Sequence, residues 1–143
     1  MSKVLVTGGA GFIGSHVADS LLKQSHQVHV VDDLSGSTGE NLHPDVVFHQ
    51  LDIRSEETAL LFEEHKFDVL MHLAAQMDVR KSVANPKFDA DVNILGMLSL
   101  LEAGRKNGLQ KVVFSSTGGA IYGEPDYVPQ DEHHILQPLS PYG

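Results

Sequence analysis

Cysteine is absent from the chain, which excludes a disulfide framework, thiol catalysis and a cysteine-based zinc site. Basic residues are scarce. Ten Lys and Arg stand against 19 Asp and Glu, a net charge of −9. Such a balance does not neutralise phosphates or anionic headgroups, so neither nucleic acid nor an anionic membrane is an expected partner. Long apolar runs are also missing: none approaches the roughly 18 residues that a membrane span requires. The N-terminus enters a strand pattern directly, without a charged-then-apolar leader, and a cytoplasmic protein is the expectation. The nine histidines are scattered, with His133 and His134 in a polar loop, and no metal site is expected from them.

What is present is a regular alternation of strand and helix signals, without linker or repeat, over one domain of 143 residues. Lys3 to Thr7 is a short β-branched run suited to a strand buried on both faces. Gly8, Gly11 and Gly14 follow, and then a helical pattern from Ser15 to Leu22. Strand, glycine turn, helix is the context in which a glycine loop holds a pyrophosphate. Gly8 and Gly11 let the backbone turn and approach the ligand, Gly14 lets helix and strand sit close, and the helix N-terminus faces the charge. A second strand, Gln27 to Val31, ends in Asp32 and Asp33. A carboxylate there, about 20 residues past the glycines, can accept both ribose hydroxyls of an adenosine. Asp33 suits a turn better than Asp32 does. From Asp32 to Pro44 no Lys or Arg is present to neutralise a 2′-phosphate, which favours NAD over NADP.

Further along, Val46 to His49 reads as a third strand, and Ser55 as the N-cap of a helix running to about His65. Phe67 to His72 is a fourth strand. One long helix is expected from about Pro86 to Asn107, closed by Gly108, and a fifth strand from Lys111 to Ser115. Alternation of this kind implies a parallel sheet covered on both faces, with ligands beyond the carboxyl ends of the strands. The polar signals fall in those loops: Asp52 and Ile53 after strand three, Leu73 to Gln76 after strand four, Ser115 to Gly123 after strand five. Residues 124–143, with four prolines and little periodicity, are expected to be mobile or held by another protomer. Strand five is expected to be an exposed edge.

These motifs together resemble the extended short-chain dehydrogenase/reductase superfamily, and within it the UDP-glucose 4-epimerases. The resemblance rests on Thr7 to Gly14 with His16, Val31 to Ser35, Asp52 to Arg54, His72 to Gln76, Phe114 to Glu124 and Ser140 to Gly143. It spans the whole chain but less than half of a typical family member. It implies a Rossmann-type, doubly wound sheet of order 3-2-1-4-5, an NAD-binding domain over 1–143 without the substrate-binding region that follows it. The nucleotide sugar would be a UDP-hexose.

The resemblance also implies roles. Gly8, Gly11, Phe12, Ile13 and Gly14 would hold the pyrophosphate, and Asp32, with Asp33, Leu34 and Ser35 beside it, the adenosine ribose. Asp52 and Ile53 would meet the adenine. Leu73, Ala74, Ala75, Gln76 and Ser115 would line the path to the nicotinamide, with Asn93 nearby. For Asn93, a polar residue holding a water or a backbone carbonyl at a helix bend is an equal alternative. Tyr142 would take the proton from the sugar 4-hydroxyl as hydride passes to NAD, with Thr117 bonded to the same hydroxyl. Tyr142 opens a Tyr-x-x-x-Lys pair whose lysine would stand at position 146. A free phenol is a poor base at neutral pH, so the 143 residues alone are expected to be inactive. Sugar-nucleotide dehydratases typically carry an acidic pair after the active-site Thr, whereas Gly118 and Gly119 follow Thr117, which favours the epimerases. In family members the long helix, with Ile94, Leu95, Met97, Leu98, Leu100 and Leu101, joins a dimer interface, so self-association is expected.

Overall fold

The computed structural model describes residues 1–143. Five parallel strands form one sheet: β1 (Lys3–Thr7), β2 (Gln27–Asp32), β3 (Val47–Gln50), β4 (Val69–His72) and β5 (Lys111–Phe114). Their order is β3-β2-β1-β4-β5, the order expected. Thr7 lies opposite both Val31 and His72, and His72 opposite Phe114. The carboxyl ends are therefore level, and the loops leaving them share one edge.

The helices follow from the strand faces. Side chains alternate across a strand with period two, so Val4, Val6, Val28 and Val30 form one core with Ala18 of α1 (Phe12–Lys23). Leu5 and Val31 point the other way. They join Phe67 and Leu70, together with Phe62 of α2 (Glu56–His65) and Leu100 of α5 (Met97–Lys106). Ser55 caps α2 as expected, its hydroxyl accepting the Thr58 N–H at 3.2 Å. β5 is an open edge, exposed at all four residues.

Four expectations are corrected. The long helix is interrupted: α4 (Pro86–Ala90) passes through a π-helical turn, Asp91–Gly96, into α5. Its start at Pro86 and the left-handed Gly108 (φ +86°) match the reading. Two short helices were not anticipated, α3 (Val79–Ala84), capped by Asp78, and α6 (Gly118–Ile121). Residues 124–143 fold back on their own chain. His134, only 5% exposed, anchors them. Its Nε2 accepts the Asp126 N–H at 3.0 Å, which leaves Nδ1–H to donate to the Ile135 carbonyl at 2.9 Å. The Tyr122 and Tyr127 rings flank it at 5.4 and 4.9 Å.

The histidines, the fourth point, are not spread through the structure as they are through the chain. His29, His49 and His65 are scattered in sequence but converge beside Phe67, where β2, β3 and the end of α2 meet. Burial, reinforced by the His65 and His49 rings and by Lys3, lowers the His29 pKa to about 4.

Candidate functional site

The glycine loop is wedged between β1 and α1. Gly8 has φ +69°, a conformation glycine adopts without strain. A Cβ there would stand 2.7 Å from the Ala74 amide nitrogen. Gly14 lies so close to the Gly8 carbonyl that a Cβ would overlap it. Gly11 is the N-cap of α1 and supplies no capping side chain. The first-turn N–H groups of Phe12, Ile13 and Gly14 thus lack intrahelical partners, at the positive end of the helix dipole.

Asp32 closes β2. Its carboxylate accepts the Ala10 N–H at 3.0 Å and the Leu34 N–H at 2.9 Å, which ties the end of β2 to the glycine loop. Asp33 is occupied locally, accepting from the backbone N–H and hydroxyl of Ser35 at 2.9 and 2.6 Å. Leu34 between them is left-handed, φ +60°. Asp52, after β3, is engaged by Arg54, whose Nε lies 2.9 Å and whose backbone N–H lies 2.8 Å from Oδ1. Those hydrogen bonds hold the Asp52 carboxyl below the usual carboxylate range. Arg54 also pairs with Asp91 at 2.6 Å and lies over the Phe88 ring.

These groups border a crevice of about 420 Å³ whose walls include Gly8, Gly11, Asp32, Asp33, Ser35, Asp52, Ile53 and Arg54. It continues along the exit of β4, past Leu73, Ala74, Ala75 and Gln76. Leu73 to Ala75 also border a second cavity of about 180 Å³. Asn93, Ser115, Thr117 and Tyr142 face that one. The structure therefore gathers the residues singled out in the sequence along one continuous edge. Phe12, Ile13, Gly14 and Leu34 form no part of either wall; what they offer is backbone.

Asn93 borders the second cavity and also clamps backbone. Its Oδ1 accepts the Gln76 N–H at 2.8 Å and its Nδ2 donates to the Gln76 carbonyl at 2.9 Å. It does so from the π-helical turn, a distortion frequent at functional sites. Three residues play parts that the sequence reading did not assign. Asp89, 3% exposed, accepts from the Gln76 side-chain amide at 2.8 Å and from Asn93 at 3.3 Å. Arg54 orients Asp52. Thr7, fully buried, accepts the N–H groups of Leu73 and Ala74, each at 3.3 Å. The same hydroxyl hydrogen-bonds with His72 Nδ1, 2.7 Å away. A hydroxyl closing an otherwise apolar strand was the available signal.

With the geometry established, likeness to known proteins decides the family. The family model described as GDP-mannose 4,6 dehydratase matches residues 5–143. The chain belongs to that family. Among curated relatives, the UDP-glucose 4-epimerase of Mycolicibacterium smegmatis is 45% identical over 145 residues, covering 98% of this chain and 46% of the relative. Among solved structures, the UDP-glucose 4-epimerase of Thermotoga maritima, crystallised with UDP-glucose, superposes with a TM-score of 0.93 at 50% identity. It covers 99% of this chain and 46% of its own. The Thermus thermophilus UDP-glucose 4-epimerase complex with NAD gives 0.91 at 46% identity, covering 98% and 46%. The resemblance to the UDP-glucose 4-epimerases is thus borne out, and the chain spans about half the length of these relatives.

Proposed function

We propose that the chain is the NAD-binding part of a nucleotide-sugar 4-epimerase that interconverts UDP-glucose and UDP-galactose. The observation that carries this reading is the Asp32 carboxylate, fixed at the crevice by two backbone amides beside a glycine loop in which Gly8 and Gly14 leave no room for a Cβ. That arrangement fits a dinucleotide: the helix N-terminus takes the pyrophosphate, Asp32 the ribose, and Asp52 with Ile53 the adenine side. No cation follows Asp32 as far as Pro44, which supports NAD over NADP. When bound, NAD would supply a hydride acceptor and return donor for the sugar C4. Tyr142 would hold the proton of the 4-hydroxyl, with Thr117 bonded to the same oxygen. Gly118 and Gly119 place no acid after Thr117 to protonate a leaving hydroxyl, which supports an epimerase over a dehydratase despite the description of the matching family model.

Ile94, Leu95 and Leu98 stand 51–57% exposed on one long helical segment, which supports a homodimer through that face. The absence of any helix long and apolar enough to cross a membrane accords with a cytoplasmic enzyme. One observation favours a second reading for these residues by themselves. No Lys or Arg borders the cavity around Tyr142, and a phenol without a cation beside it is a weak base near pH 7. By that reading the 143 residues are a module that binds NAD without turnover.

Turnover tests the first reading. The native full-length protein is expected to convert UDP-glucose to UDP-galactose, and Tyr142→Phe to abolish conversion while NAD still binds. An active Tyr142→Phe variant, or binding of NADP as tight as NAD, would overturn the assignment.

A further inference from the structure

Away from the crevice, three imidazoles meet on the face of the sheet that packs against α2. His29 is on β2 and only 7% exposed; His49 is on the adjacent edge strand β3; His65 is the last residue of α2. The register places Val47 opposite His29 and His49 opposite Val31, so the side chains of both histidines rise from the same face. One ring nitrogen from each lies within 4.8 Å of the others. His29 Nδ1 and His49 Nε2 are already 3.0 Å apart.

We propose that His29, His49 and His65 bind a divalent transition cation of the zinc class. Imidazole suits zinc, nickel and copper. Metal–nitrogen bonds of about 2.0–2.1 Å in tetrahedral geometry separate the ligand nitrogens by about 3.4 Å. The His29–His49 pair is within half an ångström of that spacing, and His65, half-buried at a helix end, closes the remainder by rotation of its ring. Three protein ligands leave a fourth position. The Glu64 carboxylate, 3.8 Å from His65 Nε2, is placed to fill it directly or through water.

The charges around the cluster oppose one another: the carbonyl end of α2 carries the negative end of the helix dipole, while Lys3 Nζ donates to the His65 carbonyl at 2.7 Å and sets a positive charge beside it. The case for a cation therefore rests on the convergence of the three ring nitrogens. An alternative is that the rings are simply packing material, since His29 sits edge-on against Phe67 at 5.1 Å and stacks with His49. The His29–His49 contact is itself a hydrogen bond at 3.0 Å, which satisfies two of the nitrogens but leaves the convergence of the third, from His65, without a hydrogen-bonded protein partner to explain it. The site would be structural. It joins β2, the edge strand β3 and α2, and His29 lies three residues before Asp32, roughly 10 Å down the strand from the crevice.

Cobalt(II) is the probe, because its visible ligand-field bands are intense only in tetrahedral sites. The native full-length protein is expected to take up one cobalt with intense bands, to lose them to one equivalent of zinc, and to melt at higher temperature with zinc. His49→Gln and His65→Gln should each weaken cobalt binding at least tenfold, whereas His43→Gln, on an exposed loop, should bind as the wild type. Should either variant fold poorly, zinc titration of the wild type followed by histidine ring NMR gives the same answer, with His29, His49 and His65 responding together. Weak octahedral bands only, tight binding retained in both variants, or ring shifts confined to other histidines would overturn the proposal.

Discussion

The two ends of the crevice are built by different means. At the Asp32 end, both carboxylate oxygens are held by backbone N–H groups and the glycine loop is locked against the β4 exit. Few side-chain rotamers are involved, so this geometry is fixed by the course of the chain. At the Tyr142 end, Thr117 begins α6 without a side-chain capping bond, and β5 beneath it is exposed throughout. Tyr142 is in place only because the 124–143 segment returns to the cavity. Cofactor binding is thus a property of the backbone at one end, while the proposed chemistry depends at the other on side chains with few fixed partners.

The comparison breaks hardest at Gly14. A methyl group there must displace the Gly8 carbonyl, and neither group can yield without moving β1 or α1. Gly14→Ala is expected to cost about 1–3 kcal/mol of stability. It should weaken NAD roughly 10- to 100-fold, as measured by calorimetric titration of the folded variant. Unchanged affinity would mean that the loop does not seat the pyrophosphate.

A second, intermediate effect lies where the two ends join. The Thr7 hydroxyl on β1 and His72 on β4 link the glycine loop to the Leu73–Ala75 stretch shared by both cavities. The Thr7 hydroxyl and His72 Nδ1 are 2.7 Å apart in the sheet interior, where a charged imidazole has no carboxylate beside it. Burial lowers the His72 pKa to about 4 from the ordinary 6.5. The unfolded chain takes up that proton near pH 6.5 and the folded chain only near pH 4. This contribution is therefore fully present above pH 6.5 and lost as the pH falls to 4. It amounts to about 3 kcal/mol. Urea midpoints measured from pH 7 to pH 4 should fall, and His72→Gln should flatten part of that slope. The buried His29 titrates over the same window and keeps some slope in the variant. A slope identical to the wild type would remove His72 from the account.

How legible each end was follows from the same distinction. The sheet order, the glycine loop and the Asp32 position were readable because period-two burial and backbone requirements leave direct marks: β-branched runs, glycines, a carboxylate at a strand end. The π-helical turn went unread because the apolar pattern of Val92, Ile94 and Leu95 continues into α5, and the contact that Asn93 makes from it needs the β4 exit loop to be in place. The Asp89 contact was invisible for the same reason, as it depends on three elements meeting. Residues 124–143 were misjudged because His134 looks like any loop histidine until Tyr122 and Tyr127 close around it. The histidine cluster likewise needs the register of β2 against β3 before its members are neighbours.

The smallest expected effect on cofactor binding is the most discriminating. If the Asp32 end alone determines cofactor affinity, Thr117→Ala should leave NAD binding within about twofold, because a hydroxyl that makes no cap bond in the protein has no structural partner to lose. Turnover of UDP-glucose by the full-length variant should nonetheless fall on the order of 10²-fold, the usual scale for one positioned proton-transfer group. A loss of NAD affinity as large as the loss of turnover would show that the two ends are coupled through the β4 exit, and that the division between a backbone-built and a side-chain-built end is too sharp.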